Sequence, residues 1–151
     1  MLQYVITFDA QPSHADTSIL WKGISENAEL IRGLKPGRPF AFFIRDENNE
    51  IRGGCSGYMF YGCVYVDLIW VDTTLRGQGY GFQLMKKAEQ LAADNNYNFI
   101  AVNTMDFEAL NFYKKLGFNV EFERRGFEKN SIMYFLRKDI KTNVTGSERK
   151  L

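Results

Sequence analysis

Apolar residues recur along this chain at two different periods, and each change of period marks a new element. Leu2, Tyr4, Ile6 and Phe8 alternate with other residue types, which predicts a strand over 2–8, followed by a turn at Asp9 to Ser13. Between 16 and 32 the spacing lengthens to three or four (Leu20, Ile24, Ala28, Ile31), predicting one broken or two short helices ended by Gly33 and Pro36. Phe40 to Arg45, Ile51 to Tyr61 and Val64 to Val71 then read as three strands of a meander, turning at Asp46–Asn49 and at Gly62. Gly53, Gly54 and Gly57 in the second of them suggest bulges. Over 80–95 the helical period returns: Leu84, Ala88 and Leu91 share a face with Met85 and Ala92 beside them, while Lys86, Lys87, Gln90 and Asp94 face away. A strand at Phe99 to Val102, a short helix at Glu108 to Lys115 and a hairpin built on Phe118, Val120, Phe122 and Ile132, Tyr134, Leu136 complete the order. From 141 onward the chain is polar, and a disordered tail is expected there. The order predicts one α/β (α+β) domain over 1–140, a mixed and mainly antiparallel sheet of about seven strands flanked by helices.

The chain has 151 residues and is 45% hydrophobic, enough for a sizeable core. Its net charge is +1, and no basic stretch makes a local case for nucleic acid, so none is expected as a partner. Cys55 and Cys63 are too few for a disulfide framework, and with one His and no Cys-x-x-Cys spacing no metal site is expected. No leader-like N-terminus or 18-residue apolar run is present, so the expected setting is cytoplasmic and away from membranes.

The candidate chemistry begins at Arg76-Gly77-Gln78-Gly79-Tyr80-Gly81, where the third meander strand hands over to a helix. Glycines leave backbone N–H groups uncovered, and the first N–H groups of a helix lack internal partners at the positive end of its dipole. Such a turn is an anion site suited to phosphate, or else an ordinary tight connection. A P-loop is disfavoured because its Gly-x-x-x-x-Gly-Lys-Ser/Thr pattern is missing. A dinucleotide fingerprint is disfavoured because the third glycine comes one residue early and the strand belongs to a meander. About 30 residues on stands Ala109-Leu110-Asn111-Phe112-Tyr113-Lys114-Lys115-Leu116-Gly117-Phe118.

In these two segments the chain resembles the GNAT superfamily of N-acetyltransferases. The first is similar to the Gln/Arg-x-x-Gly-x-Gly/Ala acetyl-CoA motif, the second to the later helix motif ending Phe-Tyr-x-Lys-x-Gly-Phe. The resemblance is firm over 63–122, and the element order carries it further; residues 1–60 hold no matching motif. It implies acetyl-CoA as acyl donor. Two neighbouring strands, here Val64 to Val71 and Phe99 to Val102, would part to hold the pantetheine arm. Backbone groups of Trp70, Val71 and Asp72 would bond the arm and polarise the thioester carbonyl, and Arg76, Gly77, Gln78, Gly79, Tyr80 and Gly81 would bind pyrophosphate. The family's Asn three residues before the motif alanine is Asp106 here, so Asn103 or Asn111 would take that side-chain contact.

The resemblance implies direct attack of a primary amine. Tyr113 matches the tyrosine beside the departing sulfur; with ordinary pKa values near 10 and 8.5, full transfer of its proton to a thiolate is uphill by roughly 2 kcal/mol, so a lowered pKa would ease it. Asp67 interrupts an apolar strand, on the face expected for Tyr65, Ile69 and, unless a bulge intervenes, Val71, and is the leading base candidate. Glu108, Glu121 or a water chain are the alternatives. Trp21, Tyr58, Phe60, Tyr61 and Tyr65 are candidates for an acceptor pocket or for core, Cys63 approaches from the strand start without a nucleophilic role, and His14 falls in a predicted surface loop. The acceptor is a small molecule or a peptide or protein amine, and a homodimer is left open. The rival readings are a non-catalytic acyl-CoA-binding module and a toxin-like enzyme acting on aminoacyl-tRNA, which the near-neutral charge does not favour.

Overall fold

Every strand after residue 37 finds a neighbour, and the result is one six-stranded sheet. The computed structural model describes residues 3–141, which divide into two compact units at Pro36/Gly37. The proposed tail beyond 141 lies outside the described residues.

In the first unit, the strand expected over 2–8 does not form among the described residues, which begin at 3. Residues 3–9 pair with no other strand, and Tyr4, Val5, Ile6 and Phe8 are exposed. Alternation alone does not make a strand, because its N–H and C=O groups need a ladder partner. That accounts for six strands where about seven were expected. The helical stretch is one unbroken helix, α1 (His14–Arg32), so His14 opens a helix and does not lie in a loop. The Ser13 hydroxyl caps it by accepting the Asp16 N–H at 3.1 Å, and Gly33 closes it in the left-handed region.

The second unit holds β1 (Arg38–Arg45), β2 (Ile51–Phe60), β3 (Cys63–Val71), α2 (Tyr80–Asp94), β4 (Phe99–Met105), α3 (Leu110–Lys115), β5 (Asn119–Arg124) and β6 (Met133–Asp139). The strand order is β1-β2-β3-β4-β6-β5, and only β3–β4 is parallel. The amphipathic face of α2 puts Leu84, Met85, Ala88 and Ala92 into the core with Val64, Val66, Ile100, Val102 and Leu136. Met85, Ile100, Leu136, Val64 and Val102 are fully enclosed, each contributing about 1.5–3 kcal/mol of burial.

The parallel pair is short. It runs from Cys63 beside Phe99 to Val66 beside Val102 and stops. Beyond that point β3 stays with β2 as far as Val71, and β4 stays with β6 as far as Met105, so the two strands part. At the parting, β3 carries a bulge: Ser56 faces Leu68 and Gly57 faces Val66, leaving Asp67 as the extra residue. The bulge changes the expected facing. Val64 and Val66 share the core side with Ile69 opposite Cys55, whereas Tyr65 lies on the other side, so Tyr65 and Ile69 do not share a face. Gly57 permits this close approach, because a Cβ there would fall on the Tyr65 carbonyl. Gly57→Ala is therefore expected to lower the unfolding free energy by about 1–3 kcal/mol, measured by urea denaturation; an unchanged midpoint would show that the strand pair parts without this contact.

Candidate active site

The main chain makes the first half of the site. The Asp72 N–H donates to the Arg52 carbonyl of β2 at 2.9 Å. In a planar trans peptide the preceding carbonyl points the opposite way, so the Val71 C=O is turned from β2 toward the side that β4 has left. Strand alternation puts the Val71 N–H on that same side, and Ile69 with it. These are main-chain groups in an opening between strands, the placement an extended ligand arm needs.

The turn after β3 is tied down by side chains. Asp72 accepts from the Thr74 N–H at 2.9 Å and from its hydroxyl at 2.7 Å, and pairs with Arg52 at 3.2 Å. The Thr74 bonds, then the nearby Arg52 and Arg76 guanidinium charges, hold the Asp72 carboxyl below its ordinary range. Arg76 Nε donates to the Val71 carbonyl and Gln78 Nε2 to the Thr74 carbonyl, both at 3.0 Å. Gly77 and Gly79 have φ of 74° and 87°, a region L-residues seldom adopt, so the turn requires glycine there. Gly79 caps α2 without a side-chain bond, and the first helical bond runs from the Gln83 N–H to the Gly79 carbonyl. The N–H groups of Tyr80, Gly81 and Phe82 thus have no partner within the helix, at the positive end of a 15-residue dipole. Such a cradle fits a diphosphate.

A cleft of about 550 Å³ opens beside this turn. Ile69, Trp70 and Val71 form one wall, Arg76, Gly77, Gly79, Tyr80 and Gly81 the floor, and Glu108, Ala109 and Phe112 the far wall. Of the sequence-derived residues, Trp70, Val71, Arg76, Gly77, Gly79, Tyr80 and Gly81 meet there. Asp72 and Gln78 serve the turn from outside the lining. Asn111 is exposed on α3 and Asn103 donates from Nδ2 to the Tyr65 hydroxyl at 3.1 Å; neither lines the cleft. Asp106 is engaged elsewhere, exchanging two bonds with Ile132: its N–H donates to the Ile132 carbonyl and its carboxylate accepts the Ile132 N–H.

Tyr113 lies behind the cleft wall, 3% exposed, its ring edge-on to Phe112 and Phe118. Burial, then the Cys55 and Glu108 charges, push its pKa above the ordinary phenol value, the opposite of the lowering that would ease proton transfer. Asp67 is exposed at the bulge. Burial and then the Asp67 charge raise the Tyr65 pKa, which places Asp67 within electrostatic reach of the Tyr65–Asn103 pair. Glu121 sits on the edge strand β5, beyond β4 and β6. Phe60, Tyr61 and Cys63 lie at the closed end of the strand pair; Cys63 is eight residues from Val71, roughly 26 Å along the strand, so it does not approach the opening. Trp21 belongs to the first unit.

Thr104 escaped the sequence reading. It is buried, accepts the Ala109 N–H at 3.1 Å and so fixes the start of α3. Its signal was present: a hydroxyl on the core-facing parity of β4, beside Ile100 and Val102.

Strands parting beside a glycine-capped helix start, with an aromatic helix as the opposite wall, define a protein built to seat an extended donor carrying a diphosphate. Residues 9–118 match the acetyltransferase (GNAT) family, and the chain belongs to that family. It is 34% identical over 88 residues to blasticidin-S acetyltransferase of Streptomyces morookaense, covering 57% of this chain and 64% of that one. It is 31% identical over 96 residues to a peptidyl-lysine N-acetyltransferase of Salmonella typhimurium, covering 64% and 61%. These matches thus span less than two thirds of either relative. A crystal structure of an acetyltransferase from Agrobacterium tumefaciens superposes with a TM-score of 0.80 at 25% identity, over 91% of this chain and 99% of that one. Among the described residues, no helix is long and apolar enough to cross a membrane, and no cluster of metal-ligating side chains occurs.

Both thiols are buried and unpaired, and burial pushes each up to about 11. At pH 8 the thiolate fraction is then about one in a thousand, against about a quarter for a free cysteine. Labelling by a thiol reagent at pH 8 is expected to be at least about 100-fold slower in the folded protein than in urea; rapid labelling of either cysteine in the folded state would contradict this placement.

Proposed function

We propose that the protein is an acetyl-CoA-dependent N-acetyltransferase acting on a primary amine of a small molecule or of a peptide or protein. The observation that carries this reading is the parting of β3 and β4 beside the uncovered N–H groups of α2, within a chain of this family. The bound donor supplies an activated thioester. The turn from Arg76 to Gly81 and the first N–H groups of α2 hold the diphosphate, while the inward-turned N–H groups of Ile69 and Val71 bond the arm and face carbonyl charge as it develops. Asp67, at the rim of the opening, takes a proton from the incoming ammonium. Tyr113 donates a hydrogen bond to the departing sulfur once the donor is seated. The names of the two relatives point to blasticidin S for one and peptidyl lysine for the other, which is why both acceptor classes stand in the proposal. Residues 1–140 act as one catalytic domain in this reading, since the family match begins at residue 9 and so draws on both units. A cytoplasmic setting also belongs to it, because two buried, unpaired thiols suit a reducing compartment.

The test is release of free thiol from acetyl-CoA over a panel of small amines and lysine peptides. Turnover with at least one acceptor is expected, with Tyr113→Phe lowering kcat by roughly 100-fold and Asp67→Asn moving the acid limb of the pH profile. A protein that binds acetyl-CoA and turns over nothing on the panel would instead be an acyl-CoA-binding module. Turnover unchanged in both variants would remove the two side-chain roles and leave the backbone ones.

A further inference from the structure

Arg76 stands where the family motif accepts Gln or Arg, and its charge suggests a direct phosphate contact. Its geometry suggests another task. The Val71 carbonyl points into the opening between β3 and β4, where no strand remains to pair with it. In place of a strand, Arg76 Nε donates to it at 3.0 Å, in a bond exposed to solvent. The bond spans five residues and closes the loop of Asp72, Thr73, Thr74 and Leu75 on itself. Asp72 and Gln78 add their own bonds to Thr74 inside that loop. The turn around Gly77 and Gly79 is thus held by bonds of the chain itself, and a turn held this way would spare binding part of the ordering cost.

We propose that Arg76 is a positioning residue, contributing its ε N–H to the Val71 carbonyl, and that this bond, more than the guanidinium charge, keeps the diphosphate cradle formed. The inference rests on the reading that the turn seats a CoA-type donor. It also gives a physical reason for the Gln/Arg alternative in the motif. Counted along the side chain, Gln Nε2 is as many bonds from the backbone as Arg Nε, so both can reach the same carbonyl. The lysine nitrogen lies one bond further out and carries the charge without the matching donor.

Charge and geometry make opposite predictions for two substitutions in the full-length chain. The variants Arg76→Gln, Arg76→Lys and Arg76→Ala would each be compared with wild type by calorimetric titration with coenzyme A at low and moderate salt. They would also be compared by hydrogen exchange over residues 71–79 in the ligand-free protein. Expected is that Arg76→Gln keeps Kd within about threefold, with wild-type salt dependence and wild-type exchange protection. Arg76→Lys and Arg76→Ala are both expected to weaken binding about tenfold or more and to lose protection. Retention by Lys with loss and a shallower salt dependence in Gln would overturn the proposal, as would equal losses or equal retention in all three. If wild type itself fails to bind coenzyme A, the functional reading fails. The exchange measurement still decides the strut: protection kept by Gln and lost by Lys supports it, and any other pattern sinks it.

Discussion

The four-residue parallel pairing of β3 with β4 is the constraint on which the rest of the site depends. Val64 and Val66 meet Ile100 and Val102 at full burial, anchoring both strands in one core. Immediately afterwards each strand follows a different neighbour, β3 with β2 and β4 with β6. The bulge at Asp67 lies at that junction, where an extra residue raises the local twist. Gly57 provides the room for it. The cleft, the inward-facing Val71 carbonyl and the α3 wall all lie downstream of this divergence.

A sheet that parts exposes main-chain groups that a continuous sheet would satisfy, and the chain answers this with polar side chains at the ends of the strands. Arg76 covers the carbonyl at the end of β3. Thr104 and Glu108 bond backbone N–H groups at the end of β4, at Ala109 and Met105. Asp106 ties the same end to Ile132 and thereby to the start of β6. The N–H groups of Tyr80, Gly81 and Phe82 have no partner within the helix, and these three residues line the cleft. Polar satisfaction and the proposed ligand binding therefore divide the same small region, and the glycine turn leaves the first N–H groups of α2 uncovered.

Much of this was legible in the sequence because it depends on local rules. The periods of α2 and the meander, the glycine turn and the short helix expected over Glu108 to Lys115 are short-range patterns, and the helix appears as α3 within that range. The strand expected over 2–8 shows the limit: alternation at Tyr4, Ile6 and Phe8 specifies a pleat but not a partner. The face of Asp67 failed for a related reason. A bulge is a property of two paired strands, so counting along β3 alone put Tyr65 and Ile69 on one face when the register with β2 separates them. Thr104 and Arg76 acquire their meaning only from the direction of a carbonyl or an N–H, which the side-chain pattern does not encode.

The burial of Tyr113 bears on how the proposed transfer disposes of its proton. With its pKa raised from the ordinary value, the phenol is a weaker acid than a free tyrosine, and giving its proton fully to a thiolate would be uphill by more than the roughly 2 kcal/mol that applies in water. Such a group is better suited to donating a hydrogen bond while keeping its proton, which stabilises the developing sulfur charge without a net transfer. The proton that finally neutralises the thiolate must then come from elsewhere. The amine's own proton, released to the rim of the opening where Asp67 stands exposed, has a path to bulk water there. In the proposed arrangement the buried face would hold a fixed donor and the exposed face would carry proton exchange, with the opening between β3 and β4 joining the two.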